Sequence, residues 1–299
     1  MADVSTPAVL PLPGGRAGAT VRLHPLLTGE VFAPIALLHR AQGPLAGLRA
    51  VGIATRKSER VWIPAPVFLI EHPSAAPLLV DTGLHPDAGT RPRSVMGPVA
   101  RLLYEFRVAP EHVLSRQLEA RGLRPGELGT VVMTHLHTDH AGGVPTLPGA
   151  TFLVDSREWR AATARNAVAR GYSRLHLDRS LDWRTIDYAD LDAPACGPFD
   201  NSIDLFGDGS VRLLATPGHT PGHQSVLVRL REGEALLAAD AAYTQRTIEE
   251  QLMPGIVWNE GAFRDSLARI RRYAAEQPSA LIVPGHDPQA WQALSPVYN

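Results

Sequence analysis

The segment Thr134–Gly143 (Thr-His-Leu-His-Thr-Asp-His-Ala-Gly-Gly) holds the densest group of side chains that can do chemistry. Within six positions it carries three histidines and one aspartate: His135, His137, Asp139 and His140. Imidazole and carboxylate groups are ligands for zinc and other first-row divalent ions. In an extended segment His135 and His137 point the same way, so they can bind one ion together. Asp139 and His140 follow the beginning of a turn and can bind a second ion.

The residues on either side of this segment indicate how it is held. The run Thr130–Met133 is short, apolar and rich in β-branched residues, which is typical of a buried strand, and Gly142-Gly143 predicts a tight turn. Catalytic groups usually lie on loops that a rigid scaffold holds in place. Because four polar side chains beside an apolar strand need compensating partners, which bound metal ions supply, we interpret the segment as a metal site.

Composition excludes several other classes of function. The chain has 299 residues, 44% of them hydrophobic, and its 29 basic and 30 acidic side chains give a net charge of −1. This balance offers no basic stripe to nucleic acid and no attraction to an anionic membrane, and the apolar runs are too short to span a bilayer. The N-terminus lacks the basic region of a signal peptide, so we expect a cytoplasmic protein. The single cysteine, Cys196, excludes an internal disulfide and is interpreted as a plain loop residue.

The chain is expected to contain one folded unit. Residues 1–19 are rich in Pro, Gly and Ala without periodicity, and we predict that they form a mobile N-terminal arm. Residues 20–299 are expected to form a single catalytic domain. Within it, residues 84–110 form a long excursion with few strand signals, and such excursions tend to be functional lids or disordered. Residues 171–205 are predicted to be irregular.

A strand pair ahead of the histidine segment ends at another candidate residue. Val61–Ile70 and Leu78–Val80 have the character of strands, and Asp81 begins an Asp-Thr-Gly directly after them. The residue types of Asp-Thr-Gly at a strand end favour a turn by themselves, without any functional role. Asp81 is alternatively a group that orients the metal-binding loop, and the sequence favours neither role.

Two helices are predicted after the histidine segment. One covers Ser156–Ala169, with Ser156 as its cap and Glu158 in its first turn. The other begins after a cap at Asn259, ends near Ala275 and has one apolar face.

Further ligand-type residues follow other predicted strands. The strands at 211–215 and 281–283 run into segments that contain His219 and His286, and the strand at 235–239 ends at Asp240. Since packed strands would bring their corresponding ends to one edge of the molecule, we expect these residues to join the segment at 135–140. Strands interspersed with helices in both halves predict two sheets with helices outside.

This set of residues resembles the metallo-β-lactamase superfamily. The resemblance covers about residues 60–290 and consists of His135-x-His137-x-Asp139-His140, His219 in Thr-Pro-Gly-His, Asp240 after a strand of small residues, and His286 in Pro-Gly-His. It implies an α/β (α+β) fold, the αββα sandwich, with a dinuclear metal site. It further implies one ion on His135, His137 and His219, another on Asp139, His140 and His286, and a bridging Asp240.

Two details are similar to the N-acyl-homoserine lactonase branch. The string Thr216–Ser225 (Thr-Pro-Gly-His-Thr-Pro-Gly-His-Gln-Ser) is like that of the lactonases, and the hydroxyacylglutathione thioesterases share much of it. True metallo-β-lactamases place a cysteine where Asp240 stands, which disfavours that branch. Tyr243, three residues after Asp240, matches a tyrosine that faces the substrate carbonyl in those enzymes; the alternative is a buried packing tyrosine. His223 is not a ligand in the family and is interpreted as structural.

The resemblance implies a metal-dependent hydrolase that opens the lactone ring of N-acyl-homoserine lactones, which are small-molecule substrates. In this mechanism a metal-bridging hydroxide attacks the acyl carbon, and one ion and the Tyr243 hydroxyl stabilise the oxyanion. Asp139 is the candidate to pass a proton to the departing ring oxygen. The cofactors are two divalent metal ions, zinc by default, and a ligand set without thiolate also tolerates iron, manganese or cobalt.

Other activities stay open on the same site. The substrate is alternatively another lactone, a thioester as in the hydroxyacylglutathione thioesterases (glyoxalase II), or a phosphotriester. The thioesterases carry a helical C-terminal extension, whereas this chain ends soon after His286, which favours the lactonase. A metal-binding protein used as a sensor or in redox chemistry, without hydrolysis, is a rival from another class. The redox version would replace a ligand histidine by a carboxylate, which is not seen here.

The substrate pocket is the least specified part of the prediction. Phe106 in the long excursion, and Met253 and Trp258 further along the chain, are candidates to line an acyl pocket, and plain core packing is the alternative. No nucleic-acid or membrane partner is expected, and a homodimer stays open.

Overall fold

Two β-sheets form the centre of the fold in the computed structural model, which describes residues 5–189 and 194–299. The strands are β1 (Thr6–Pro7), β2 (Arg22–Pro34), β3 (Arg60–Glu71), β4 (Leu78–Val80), β5 (Glu105–Arg107), β6 (Thr130–Val132), β7 (Thr151–Asp155), β8 (Asp182–Ile186), β9 (Ser202–Asp204), β10 (Val211–Ala215), β11 (Gln224–Leu230), β12 (Gly233–Ala239) and β13 (Leu281–Pro284). The first sheet has the strand order β1-β8-β7-β6-β4-β3-β2-β5, and the second has the order β13-β12-β11-β10-β9. In the first sheet β4, β6, β7 and β8 run parallel, whereas the second sheet is antiparallel except for the pair β12–β13.

Helices occupy the outer faces and the connections. They are α1 (Ile35–Leu38), α2 (Ala46–Ala50), α3 (Pro92–Val95), α4 (Pro98–Leu103), α5 (Leu114–Glu119), α6 (Thr138–Ala141), α7 (Ser156–Thr163), α8 (Gln245–Glu250), α9 (Glu260–Glu276) and α10 (Pro288–Gln292). Short 3-10 helices cover Lys57–Glu59, Pro110–His112, Pro125–Glu127, Val144–Thr146, Ala167–Arg170 and Arg174–His176. Among the described residues, no helix has both the length and the apolar character needed to cross a membrane.

Apolar side chains pack in layers between these elements. One cluster fills the space between the two sheets and includes Val132 and Leu213. A second packs the first sheet against α5 and α7 and includes Trp159, and a third packs the second sheet against α9 and includes Phe263 and Ile270. The layers are therefore helix, sheet, sheet and helix, so the predicted αββα sandwich is confirmed.

The two sheets are joined at the edge where the predicted ligands lie. Beyond the end of β6, the backbone oxygen of Thr134 accepts a hydrogen bond from the amide of Gln224 at 3.0 Å. The side-chain amide of Gln224 donates to the backbone oxygen of Met133 at 2.8 Å. Because β12 and β13 are parallel neighbours, the residues that follow them, Asp240 and His286, leave the second sheet at the same edge.

The excursion at residues 84–110 contains regular elements and pairs with the first sheet at its C-terminal end. It contains α3 and α4 and returns as β5, an edge strand that pairs with β2. Arg107 on β5 pairs with Glu30, and its guanidinium lies 4.4 Å from the centre of the Trp62 ring. At the other end, Gly83 forms a backbone bridge with Ala141.

Two predictions of irregular structure differ from the observed fold. In the predicted mobile arm, β1 pairs in parallel with β8, and the amide of Leu12 donates to the backbone oxygen of Leu205 at 2.7 Å. Residues 1–4 lie outside the described part of the chain. The segment 171–205 contains β8 and β9, and its residues 190–193 also lie outside the described part. Both differences have the same kind of physical reason: β1 pairs with β8, and β9 pairs with β10, through backbone partners that only the folded sheets create.

The helix boundaries were predicted with mixed success. The cap at Asn259 is confirmed, since its side chain accepts a hydrogen bond from the amide of Ala262 at 3.0 Å. The predicted cap at Ser156 is wrong, because the carboxylate of Asp155 accepts the Arg157 amide at 2.6 Å and caps α7. The carboxylate of Asp155, one residue before Ser156, accepts from an unpaired backbone amide of the first helical turn and also pairs with the Arg157 side chain. This helix ends at Thr163, before the predicted Ala169.

We predict that Trp183→Ala lowers the free energy of unfolding by about 3–5 kcal/mol, because it opens a cavity in a filled layer. The Trp183 ring is 1% exposed and lies 4.9 Å from the rings of both Phe152 and Trp159, measured between ring centroids. Leu102→Ala is the control, since Leu102 is 81% exposed and its loss should change stability by less than about 0.5 kcal/mol. Urea unfolding measures both; equal losses would contradict the packing described.

Candidate metal centre

A buried carboxylate, Asp240, lies at the centre of the candidate site. Its Oδ1 is 3.1 Å from Nε2 of His286 and 3.2 Å from Nε2 of His140. Its Oδ2 is 3.2 Å from Nε2 of His219 and 3.8 Å from Nε2 of His135. Two oxygens of one carboxylate therefore face two different pairs of histidines.

The seven predicted metal ligands come together in two groups on either side of Asp240. Donor atoms within 4.8 Å of one another join His135, His137 and His219 in one group, and Asp139, His140 and His286 in the other. A further triad of His135, His140 and Asp240 connects the groups. Nδ1 of His137 lies 2.8 Å from Nε2 of His219, and Nε2 of His286 lies 3.5 Å from Oδ2 of Asp139. The structure thus brings together side chains that are up to 151 positions apart in the sequence, from 135 to 286.

Each histidine is held by the ring nitrogen that faces away from the centre. Nε2 of His137 donates to the backbone oxygen of Arg170 at 2.9 Å, and Nδ1 of His286 donates to that of Pro64 at 3.0 Å. Nδ1 of His135 lies 3.1 Å from the Thr134 hydroxyl. These outer contacts fix the orientation of the rings and leave the inner nitrogens for a ligand.

Asp81 orients the metal-binding loop, which is one of the two roles considered from sequence. Its carboxylate accepts hydrogen bonds from the Thr134 amide at 2.7 Å, the Thr134 hydroxyl at 2.8 Å and Nδ1 of His140 at 2.8 Å. The residue has a φ of +62°, in the left-handed region that few residues other than glycine adopt. Strain of this kind persists where surrounding contacts enforce it, as they do here.

Close backbone packing places Asp240 at the centre. The β12 ladder is irregular between Leu237 and Ala239, and Ala239 has a φ of +45°. A Cβ on Gly285 would lie 2.8 Å from Oδ1 of Asp240, so only glycine allows this approach. The amide of Asp240 donates to Nε2 of His223 at 3.1 Å, and Nδ1 of His223 lies 3.2 Å from the backbone oxygen of Thr216. This arrangement agrees with the structural role predicted for His223.

Burial and charge divide the histidines into two electrostatic classes. Burial lowers the pKa of His135 and of His219 well below the usual value, and it also lowers the pKa of His137. Burial acts in the same direction on His140 and His286, but nearby carboxylates together outweigh it and raise the pKa of both: Asp240 and Asp81 for His140, and Asp240 and Asp139 for His286. Burial therefore favours neutral imidazoles in one group, whereas the carboxylates favour protonated imidazoles in the other, where a metal ion would take the place of the proton.

The donor set fits divalent metal ions. Within the described residues, Nε2 of His135 is buried and has no hydrogen-bond partner, which is costly in the absence of a ligand. The inner nitrogens of His137 and His219 are 2.8 Å apart, and those of His140, His219 and His286 lie within 3.2 Å of an oxygen of Asp240. Nitrogen and carboxylate donors without thiolate suit zinc, iron, manganese and cobalt.

Comparison with known proteins agrees with this geometry. Residues 60–286 match the model of the metallo-beta-lactamase superfamily. The chain belongs to this superfamily. Membership was predicted from the same residues and is confirmed, and together with the His/Asp cluster it supports the use of divalent metal ions.

Similar members of the superfamily are named as lactonases. The N-acyl homoserine lactonase AttM of Azorhizobium caulinodans is 37% identical over 235 residues, which cover 78% of this chain and 85% of that protein. The protein of the same name from Agrobacterium fabrum is 36% identical over 232 residues, 77% of this chain and 84% of that protein. The predicted likeness to the lactonase branch of the superfamily is therefore confirmed.

Solved structures show the same fold. An N-acyl homoserine lactone hydrolase with the product N-hexanoyl-L-homoserine at its catalytic metal centre has a TM-score of 0.75 at 24% identity, over 94% of this chain and all of that chain. AidC, a dizinc quorum-quenching lactonase in complex with a product, has a TM-score of 0.62 at 14% identity, over 93% of this chain and 90% of that chain.

The other candidate residues of this superfamily member lie at different depths around the centre. The Tyr243 hydroxyl is 3.2 Å from Nδ1 of His219, and the ring is buried between His219 and His286. Trp258 is half-exposed, and its amide donates to the backbone oxygen of His219 at 3.0 Å. Phe106 is half-buried on β5 in the cluster that also contains Tyr243.

Met253 is less accessible than the other two candidate pocket residues. It is 9% exposed and packs with Ile248 and Phe263 in the cluster beneath α9. That contact accounts for its burial, as the packing alternative supposed, and a role for Met253 in substrate binding stays a prediction.

Sequence reasoning missed two residues near the centre. Burial and then the charge of Asp139 raise the pKa of Tyr104 to about 12, so this tyrosine is close enough to interact with a candidate ligand. Glu158, expected only to favour the start of a helix, is fully buried and hydrogen-bonded to both histidine loops. Neither residue belongs to a motif, and only the folded chain brings them to the centre.

A buried histidine beside the centre, His176, makes stability depend on pH. Burial lowers its pKa from 6.5 to about 4, and Nε2 donates to the backbone oxygen of Val95 at 2.7 Å. The pKa of His176 is lower in the folded chain than in the unfolded chain. The contribution of its neutral form to the free energy of unfolding is therefore fully present above pH 6.5 and is lost as the pH falls toward 4. We predict that the unfolding free energy of His176→Gln declines less over this range, by up to about 3 kcal/mol. Urea unfolding at several pH values measures it, and parallel pH profiles for the two proteins would refute the effect.

Proposed function

We propose that this protein is a dinuclear metal-dependent hydrolase that opens the lactone ring of N-acyl homoserine lactones. The observation that carries the proposal is the pair of three-residue donor groups that share the carboxylate of Asp240. The names of relatives at 36–37% identity support the substrate class. Another lactone, a thioester or a phosphotriester are the alternatives on the same site.

The residues would divide the work of holding two ions. His135, His137 and His219 would hold one, Asp139, His140 and His286 the other, and Asp240 would lie between them. Zinc is the default, with iron, manganese or cobalt as alternatives. Two such ions, when bound, lower the pKa of a shared water so that a hydroxide nucleophile is available at neutral pH.

Two further residues would act on the substrate itself. Tyr243 would donate its hydroxyl to the carbonyl oxygen, where negative charge grows during attack on the acyl carbon. Burial raises the pKa of this hydroxyl well above its usual value, so it stays a donor at neutral pH. Asp139 is partly open to solvent, with 24% of its side chain exposed, and would pass a proton to the departing ring oxygen.

The surroundings of the centre suggest where an acyl chain would lie. Trp258 and Phe106 are the two candidate residues that stay partly open to solvent, and Phe106 packs against the cluster that includes Tyr243. We infer that they contact the acyl chain more directly than Met253 does. The cytoplasmic location and the homodimer considered from sequence stay predictions.

The proposal is tested by assaying the purified protein on matched substrates, with metal content measured on the same sample. N-hexanoyl homoserine lactone should be hydrolysed faster than a simple γ-lactone, an acyl-glutathione thioester and a phosphotriester. Two metal ions per chain should accompany activity. Faster hydrolysis of the thioester would replace the proposed substrate class, and two ions without hydrolysis of any ester would remove the hydrolase function.

Asp240→Ala is the control for the metal centre in the same assay. Loss of the shared carboxylate leaves two groups of histidines without a common counter-charge, so one ion and most turnover should be lost. A variant that binds both ions and retains full activity would show that Asp240 does not bridge them.

Tyr243→Phe tests the oxyanion donor separately. We expect kcat to fall about 10- to 1000-fold, the scale of one such donor, with KM changed much less. Because the hydroxyl also contacts His219, metal content must be measured on the variant. A normal metal content with unchanged kcat would remove Tyr243 from the mechanism.

A further inference from the structure

Glu158 is a buried carboxyl group without a counter-charge. Its side chain is 0% exposed, and among the described residues no basic side chain pairs with it. Burial raises the pKa of this group to about 7, although nearby hydrogen-bond donors oppose the shift. Burying such a group costs free energy, so the contacts that it makes must account for its burial.

The two oxygens of Glu158 bind the two histidine loops of one metal-ligand group. Oε1 accepts the amide of Leu136 at 3.0 Å, and Oε2 accepts the amide of Gly222 at 3.2 Å. Leu136 lies between His135 and His137, and Gly222 follows His219 by three residues. One side chain on α7 therefore links loops from the first and the second sheet.

The fit between α7 and the second loop is close. A Cβ on Gly222 would lie 2.3 Å from the amide nitrogen of Glu158 and 2.6 Å from its Cβ. Only glycine permits this approach, so the loop rests directly on the first turn of the helix. The carboxyl group then reaches both amides without an intervening water.

His137 also packs against Tyr172. The ring of Tyr172 lies 5.0 Å from that of His137, measured between centroids, and the two residues form a backbone bridge. The side chains of Tyr172 and Thr220 lie near the Glu158 carboxyl group. His137 thus packs against Tyr172, whose side chain lies near Glu158.

We propose that Glu158 is a positioning residue that sets the spacing of His135, His137 and His219 and thereby the affinity of this group for its metal ion. Anchoring the Leu136 amide fixes the directions of the two histidines that flank it, and anchoring Gly222 fixes the turn that carries His219. The inference rests on the metal-binding part of the proposed function, and on no particular substrate.

The second ligand group has a different support. His140 is held by Asp81, and His286 by the backbone oxygen of Pro64. Neither contact involves Glu158. A change at Glu158 should consequently act on one ion and spare the other, which general damage to the fold would not do.

The test measures zinc affinity in backgrounds that keep one ligand group each. His286→Ala leaves the group of His135, His137 and His219, and His137→Ala leaves the group that contains His140. Adding Glu158→Gln to the first background should weaken zinc binding about 10- to 100-fold. In the second background the affinity should change by less than about twofold. Competition with a chromogenic chelator gives both values without any assay of turnover.

Asp155→Asn is the matched control, because it also alters a buried carboxylate at the start of α7. It weakens the helix cap and the ion pair with Arg157 but touches neither histidine loop. It should lower the free energy of unfolding and leave zinc affinity unchanged. Glu158→Asp, which is too short to reach both amides, is measured as well and decides the matter if Glu158→Gln does not fold.

Three outcomes would overturn the inference. They are unchanged affinity in the first background, an equal loss in both backgrounds, and a selective loss in Asp155→Asn that matches the Glu158 variants. Failure of the proposed function is distinguishable, because it appears in the unaltered protein as absent zinc binding or as bound zinc without lactone hydrolysis.

Discussion

The confinement of a negative charge inside an apolar sandwich is the constraint on which the centre depends. Asp240 is 2% exposed, and an ionised carboxylate at such a place requires compensation from several sides. Four histidine nitrogens lie within 3.8 Å of its oxygens. Two of these histidines have a raised pKa, so protons or metal ions can supply the positive charge. The histidines of the ligand set therefore compensate one buried charge as well as offering nitrogen donors to metal ions.

The sandwich positions these groups by supporting them from outside. Ligands leave the ends of strands in both sheets, and Gln224 joins those ends through two hydrogen bonds. Behind the ligands, two carboxyl groups each accept backbone amides: Asp81 binds the start of the histidine segment, and Glu158 binds its middle and the facing loop. Since each of these contacts joins residues far apart in the chain, the centre can form only when the whole fold has formed.

Residue types and spacing predicted two sheets with helices outside and the seven residues that meet at their edge, and the resemblance to the superfamily implied the αββα sandwich. These residues are marked by local patterns, which depend only on neighbouring positions in the sequence. The patterns are the spacing of His135 and His137 and the predicted strand ends at His219, Asp240 and His286. What could not be predicted depends on partners that the fold creates. The pairing of β1 needs the open edge of β8, and the burial of Met253 needs α9 above it. Glu158 accepts backbone amides, which every residue but proline offers, so no sequence pattern marks its partners.

The strand β5 has a consequence for solubility as well as for the wall of the centre. It is three residues long, has charged Glu105 and Arg107 at its ends, and covers the edge of the long strand β2. A short, charged strand at this position discourages other chains from extending the sheet. Since the same excursion carries α4 beside Tyr104, variants that loosen it to admit larger substrates would also uncover β2. Remodelling this wall thus carries a built-in risk of self-association through the exposed backbone of the sheet.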